Sequence, residues 1–169
     1  KFEWDDDVHI RHEADLIIYE MHVRGLTRHP SSGVPVDQRG TFEAVIAKIP
    51  HLVELGITAV ELMPVFQFDP LEGNYWGYMP VVWGAVHQPY AAGDDAATEL
   101  ADLVAAAHAH GLAVWIDVVF NHTGEGDSSR ATWSLRGLDP TTYRTRPDGT
   151  PFDDSGCGND ADPAHPWVR

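Results

Sequence analysis

Residues 112–122 read Leu-Ala-Val-Trp-Ile-Asp117-Val-Val-Phe-Asn121-His122, and this stretch decides the fold. A strand of a parallel sheet is covered on both faces, so it reads as a nearly continuous apolar run. Leu112 to Phe120 is such a run, broken by one carboxylate, Asp117, and closed by Asn121 and His122. In βα folds ligands are held at the carboxyl ends of the strands, so these polar groups fall where chemistry is expected. Immediately upstream, Asp94 to His110 places Leu100, Leu103, Val104 and Ala107 on one helical face, and Gly111 follows as a terminator. Helix followed by buried strand is half of a βα repeat.

The same grammar runs back toward the start. Leu16 to Val23 is rich in residues that favour sheets and predicts a first strand. Thr41 caps a predicted helix carrying Phe42, Val45, Ile46 and Ile49, and Pro50 opens a second short helical segment that ends at Gly56. Ile57 to Met63 is the second strand, stopped by Pro64. Strands separated by helices call for a parallel sheet. The loop from Pro64 to Gly93 exceeds the roughly 12–15 residues of an ordinary connection, and loops of that length are functional or disordered. Its aromatic residues, Tyr75, Trp76, Tyr78 and Trp83 among them, argue against disorder. From Gly124 onward the chain is mostly Gly, Pro, Asp, Ser and Thr, an irregular tail with no fourth strand. A closed (βα)8 barrel needs about 250 residues. The expected fold is therefore α/β, a partial (βα)8 TIM barrel with roughly strands 1–3 and long βα loops. Residues 1–14 read as a polar lead-in and 15–169 as the amino-terminal portion of the barrel domain.

Composition narrows the partners. The chain has 169 residues, 43% of them hydrophobic, enough for one compact domain. Eleven Lys and Arg stand against 26 Asp and Glu, a formal charge of −15, which disfavours nucleic acid and suits a neutral or cationic ligand. Cys157 is the only cysteine, so no internal disulfide forms, and it reads as an inert loop thiol. No apolar run approaches the roughly 20 residues of a membrane span. The opening residues lack the layout of a signal peptide, which points to the cytoplasm, and Lys1 suggests a chain cut from something longer.

Three groups of residues could carry chemistry. Asp117, Asn121 and His122 are placed to bind a hydroxylated ligand or a cation at a barrel mouth, or to brace a neighbouring loop by hydrogen bonds. Asp117 and Asn121 lie four apart on the strand, so they point to the same face, while His122 is at or past the strand end. The run Asn74-Tyr75-Trp76-Gly77-Tyr78 offers rings that stack on sugar faces, or that cap the barrel as a small core. Glu61, Asp69 and Glu72 are acids, but glycoside cleavage needs a pair about 5–5.5 Å apart in retaining enzymes or roughly 6.5–9.5 Å apart in inverting ones, and nothing in the spacing identifies one. The ten histidines show no zinc spacing, and phosphate-loop glycine patterns are absent.

Asp117-Val-Val-Phe-Asn121-His122 resembles the first motif of the alpha-amylase family of glycoside hydrolases, which lies on the third barrel strand. Tyr19-Glu-Met-His22-Val-Arg24-Gly25-Leu-Thr27 resembles the first strand of its isoamylase and glycogen-debranching branch. Leu55 to Val65, Asn74 to Pro80, Arg136 to Asp139, Gly156 to Asn159 and His165 to Arg169 are similar to that branch as well. The resemblance implies a barrel that cleaves α-1,6 branch linkages in glycogen-like α-glucans with retention of configuration. It implies that Tyr78 stacks on the sugar beside the scissile bond, with Trp76 in the same substrate-binding run, that His122 hydrogen-bonds the sugar hydroxyls, and that Asp117 organises the site. The position of Asn121 is a calcium ligand in many members, while debranching relatives often place or omit that ion differently, so calcium is left open and no other cofactor is implied. In this family the nucleophilic aspartate is on strand four, the acid glutamate on strand five and a second aspartate after strand seven. The chain stops before them, so the catalytic acids are expected beyond Arg169, on the remainder of its own barrel, and this polypeptide alone is expected to be inactive. Two other readings stay open: a branching enzyme or glucanotransferase of the same superfamily, and a non-catalytic glucan-binding partial barrel.

Overall fold

The computed structural model describes residues 10–69 and 73–168. Residues 1–9 of the expected lead-in, Glu72 and Arg169 lie outside the described residues. The chain divides into two compact units, residues 1–65 with 86–117 and residues 66–85 with 118–169.

The first unit holds the parallel sheet. Strand β1 (Ile18–Met21) pairs with β2 (Ala59–Leu62), Ile18 opposite Ala59 and Met21 opposite Leu62. The strands Phe66–Phe68 (β3) and Pro80–Val86 (β4) come next in the chain, before the third parallel strand, β5 (Ala113–Ile116). β2 pairs with β5, Ala59 opposite Ala113 and Leu62 opposite Ile116. The order β1-β2-β5, all parallel, is that of the first three strands of a (βα)8 barrel, as the sequence predicts. Helices α1 (Val23–Arg28), α2 (Phe42–Ile46), α3 (Ile49–Glu54) and α4 (Ala96–Ala109) complete the unit. The cap at Thr41 and the terminator at Gly111 follow the sequence signals, while α4 begins two residues later than expected, behind an Asp95 cap. Thr41 accepts the Ala44 amide at 3.3 Å as N-cap of α2, Asp95 accepts the Thr98 amide at 3.1 Å as N-cap of α4, and Gly111 takes the left-handed conformation past the end of α4 at φ +76°. Phe42, Val45, Ile49, Leu52, Leu62, Leu103 and Leu112 are fully buried and form the core.

The expected strands are all longer than the observed ones. His22, expected inside the first strand, instead caps α1, its Nδ1 accepting the Gly25 amide at 3.0 Å. The third strand stops at Ile116, so Asp117 and Asn121 do not share a strand face. Apolar composition continues to Phe120, but ladder pairing stops at Ile116, apart from the Asp117 amide, which donates to the Leu62 carbonyl at 2.9 Å.

The second unit holds what the sequence reads as loop and irregular tail. The long loop is not structureless: β3 and β4 form a two-stranded sheet of their own, a pairing the sequence reading missed. Phe120 meets this small sheet, its ring 5.9 Å from Phe66 and 6.0 Å from Trp83. The tail is ordered by short 3-10 turns at Leu135–Gly137 and Pro140–Thr142 and by isolated bridges pairing Tyr143 with Ala161 and Thr145 with Pro151.

Candidate functional site

Four of the five sequence-predicted site residues, Trp76, Tyr78, Asn121 and His122, fall in the second unit; Asp117 is the last residue of the first. The loop between β3 and β4 carries the aromatic run. Asn74 closes it by donating its Nδ2 to the Met79 carbonyl at 3.4 Å. Tyr75 and Trp76 are exposed, Trp76 at 63%, while Tyr78 is half-buried. His122 is buried. Its Nε2 lies 2.7 Å from the Tyr78 carbonyl and its Nδ1 lies 3.1 Å from Asn121 Oδ1. A carbonyl can only accept, so the proton on the His122 ring is fixed at Nε2. Nδ1 is then an acceptor and makes no hydrogen bond with the Asn121 amide oxygen 3.1 Å away, so it is left to accept from an amide NH2 or a sugar hydroxyl when the exposed Asn121 side chain turns.

The turn after His122 is built around a buried carboxylate. Glu125 is 0% exposed. Its Oε1 accepts the amides of Trp133 (3.1 Å) and Ser134 (3.0 Å), and its Oε2 accepts the amide of Arg136 (3.0 Å) and the Tyr143 hydroxyl. Burial pushes the Glu125 carboxyl up, but the Tyr143 hydroxyl and these three amides outweigh it and hold the group below the ordinary carboxylate range. The Tyr143 phenol moves the other way, raised by burial and then by Glu125. Asn159, also buried, accepts the Thr123 amide at 3.0 Å and donates to the carbonyls of Thr123 (3.0 Å) and Gly126 (2.9 Å). Gly124 passes close to the aromatic loop, where a Cβ would stand 2.8 Å from the Met79 carbonyl oxygen.

A cleft of about 550 Å³ opens beside Asn121, lined also by Phe120, Arg144, Asp154, Ser155 and Asp160. This is large enough for sugar rings. It presents one exposed aromatic ring and, in Arg144 and Asp160, a cation and an anion 3.7 Å apart. Trp76, Tyr78 and His122 do not line it. Of the candidate acids, Glu61 is on β2, in register with Glu20 and Trp115; Asp69 belongs to the second unit.

A model of the alpha amylase catalytic domain matches residues 18–134. The chain belongs to the alpha-amylase family. Among curated relatives it is 40% identical to isoamylase 1, chloroplastic, of Oryza sativa subsp. japonica, over 99% of this chain and 22% of that protein. It is 39% identical to isoamylase 1, chloroplastic, of Arabidopsis thaliana, over 100% of this chain and 24% of that one. Among solved structures, a pullulanase from Paenibacillus barengoltzii in complex with maltohexaose and α-cyclodextrin superposes with TM-score 0.83 at 29% identity, covering 98% of this chain and 29% of that one. The pullulanase of Bacillus acidopullulyticus gives 0.82 at 31%, covering 98% and 22%. The chain therefore spans about a quarter of the length of these relatives, and its partial barrel is the one that the sequence predicts.

For a member of this family, the residues that reading the sequence missed are Glu125, Thr123 and Tyr143, with Asn159 quoted only as part of a motif. One signal was present: Glu125 is a lone long acid between two glycines, directly after a polar strand end. Calcium takes six to eight oxygen ligands. No group of three or more His, Cys, Asp or Glu placed to hold a metal occurs among the described residues, and the Asn121 amide oxygen lies 3.1 Å from His122 Nδ1.

Proposed function

We propose that this chain is the sugar-gripping portion of a glycoside hydrolase that cleaves α-1,6 branch linkages in glycogen-like α-glucans with retention of configuration. The observation that carries the reading is the 2.7 Å contact between His122 Nε2 and the Tyr78 carbonyl. It joins the aromatic loop to the end of the Asp117–His122 motif, the two segments that the family resemblance assigns to substrate. Within this reading Tyr78 and Trp76 supply ring faces, His122 and Asn121 supply hydrogen bonds to hydroxyls, and Asp117 orders the strand end. The exposed Phe120 ring and the Arg144–Asp160 pair make the adjacent cleft a second stretch of the same path. The isoamylase and pullulanase names of the relatives support branch-point cleavage over transfer between glucans. A cytoplasmic setting is kept as part of the proposal, although the two isoamylases are chloroplastic by name; no helix among the described residues is long and apolar enough to cross a membrane.

Calorimetric titration with maltohexaose tests the reading. The chain binds, and Tyr78→Ala weakens binding about tenfold, the equivalent of ~1.4 kcal/mol. Affinity unchanged by both Tyr78→Ala and His122→Ala would leave only a non-specific glucan-binding surface. Release of reducing ends from a branched glucan by the pure chain would overturn the expectation that it lacks the catalytic acids.

A further inference from the structure

We propose that Glu125 is the positioning residue for His122, acting through Tyr143 and Thr123; this rests on the reading of His122 as part of a glucan subsite. His122 makes no contact with Glu125 in the hydrogen-bond network. What Glu125 fixes is the backbone on which the ring is mounted.

The hydrogens in this network have only one consistent direction. An ionised carboxylate can only accept, so the Tyr143 hydroxyl donates to Glu125 Oε2. The Tyr143 oxygen is then left to accept, and its partner at 2.7 Å, the Thr123 hydroxyl, donates to it. The chain of bonds runs from Thr123, the neighbour of His122, to the buried charge. Thr123 is held on its backbone too, both its amide and its carbonyl being bonded to Asn159. On the other side of His122, the Asn121 carbonyl accepts the Ala161 amide at 2.9 Å. One residue past Thr123, the Gly124 amide donates to the Pro80 carbonyl at 2.7 Å. The strip from Tyr78 to Pro80 is thus tied to the His122 turn at both of its ends.

The charge has a specific use here. Three amides and one hydroxyl converge on two oxygens, which a carboxylate satisfies completely. The Gln amide offers one accepting oxygen and one donating nitrogen, so two of the four donors would meet a donor. Charge-assisted bonds are also the shorter and stiffer kind. Relaxing them lets Thr123 drift and swings the imidazole away from the Tyr78 carbonyl, and small misplacements of a binding group cost disproportionately.

The test uses the uniformly ¹⁵N-labelled chain. The His122 ring proton on Nε2, assigned by its loss in His122→Gln, is followed in Glu125→Gln and Tyr143→Phe, together with maltohexaose affinity and the amide signals of residues 59–62. We expect ring-proton exchange to rise about tenfold and maltohexaose to bind about tenfold more weakly in both variants, with the amides of 59–62 unshifted. A purely structural role would leave the ring signal in place or would shift the 59–62 amides along with it, and either result overturns the proposal. Should Glu125→Gln fail to fold, Tyr143→Phe, which removes a single oxygen, decides alone. The two readings separate cleanly. A chain that binds no maltohexaose sinks the subsite, while the ring proton still judges the positioning.

Discussion

Lowering the pH from 7 to 5 should destabilise the first unit through one residue, His87. Its side chain is buried, 3% exposed, its amide donates to the Val65 carbonyl at 2.8 Å, and its ring stands edge-on to Tyr90 with centroids 4.7 Å apart. Burial, then the positive charge of Arg24 and the neighbouring His22, push its pKa from 6.5 down to about 4. The unfolded chain takes up a proton as the pH falls through 6.5, while the folded chain refuses it until about 4. The unfolded state therefore binds more protons throughout this window, and stability falls as the pH falls. Linkage gives a loss of about 2 kcal/mol between pH 7 and 5, growing to about 3 kcal/mol near pH 4 and constant below. Carboxylates do not confuse the upper part of the window. Glu125 and Asp160, both held below the ordinary range, contribute stability that is lost only as the pH drops below about 4.5. His12 has the opposite sign, raised by its bond to Asp15, but it is solvated and its effect is screened. Urea unfolding at pH 7, 6 and 5, on the native chain and on His87→Phe, isolates the term. The native chain should lose stability steadily and the variant should not. A flat native profile, or equal slopes in the two proteins, would refute the assignment.

Gly158 has φ +89°, and a Cβ there would stand 2.6 Å from the Asp127 nitrogen and 2.9 Å from the Gly126 carbonyl carbon. Gly158→Ala should cost about 2–3 kcal/mol, and a thermal melt indistinguishable from the native one would show that the turn gives way freely. The outer edges of β1 and β5 have no strand partner among the described residues, and Ile18, Trp115 and Ile116 are exposed on them. Such edges pair with other chains, so sedimentation at tens of micromolar should show self-association, whereas a monomer with a sharp thermal transition would contradict this.

What was legible in the sequence was whatever repeats with a period or stands at a cap. Leu103 and Ala107 at helical spacing, the cap at Thr41 and the left-handed Gly111 all declare themselves locally, and the parallel order of β1, β2 and β5 follows from their alternation with helices. The strand ends were not legible. Val118 and Phe120 are as apolar as Val114, and nothing in composition says that pairing stops at Ile116, because that depends on the partner strand ending at Leu62. The β3–β4 pairing was hidden for a related reason: aromatic residues in a long loop announce order without saying which segments pair. The site was half legible. Tyr78 and His122 were visible through motif resemblance, but the contact between them uses a backbone carbonyl, which every residue has and no sequence marks.

The two units are held by different forces, and this explains why one was easier to read. Among the described residues the first unit buries 18 apolar residues against three polar ones, Thr27, Thr41 and His87. The second buries four apolar residues, Phe68, Val119, Tyr143 and Ala161, against six polar ones, among them His122, Glu125 and Asn159. Apolar burial is non-directional and leaves a periodic trace in the sequence. Hydrogen bonds are directional and leave none, since Glu125 finds its donors 8 to 18 residues away and Asn159 finds its partners 33 and 36 residues away. A substrate with many hydroxyls is recognised by atoms fixed in direction, and a polar network fixes direction where a greasy core fixes only proximity. The cost is that each buried polar group lost leaves its partners unsatisfied, at about 1–3 kcal/mol apiece. The unit that carries the sugar-binding candidates is therefore the one least able to tolerate substitution inside it, and the one whose order depends most on a single charge, that of Glu125.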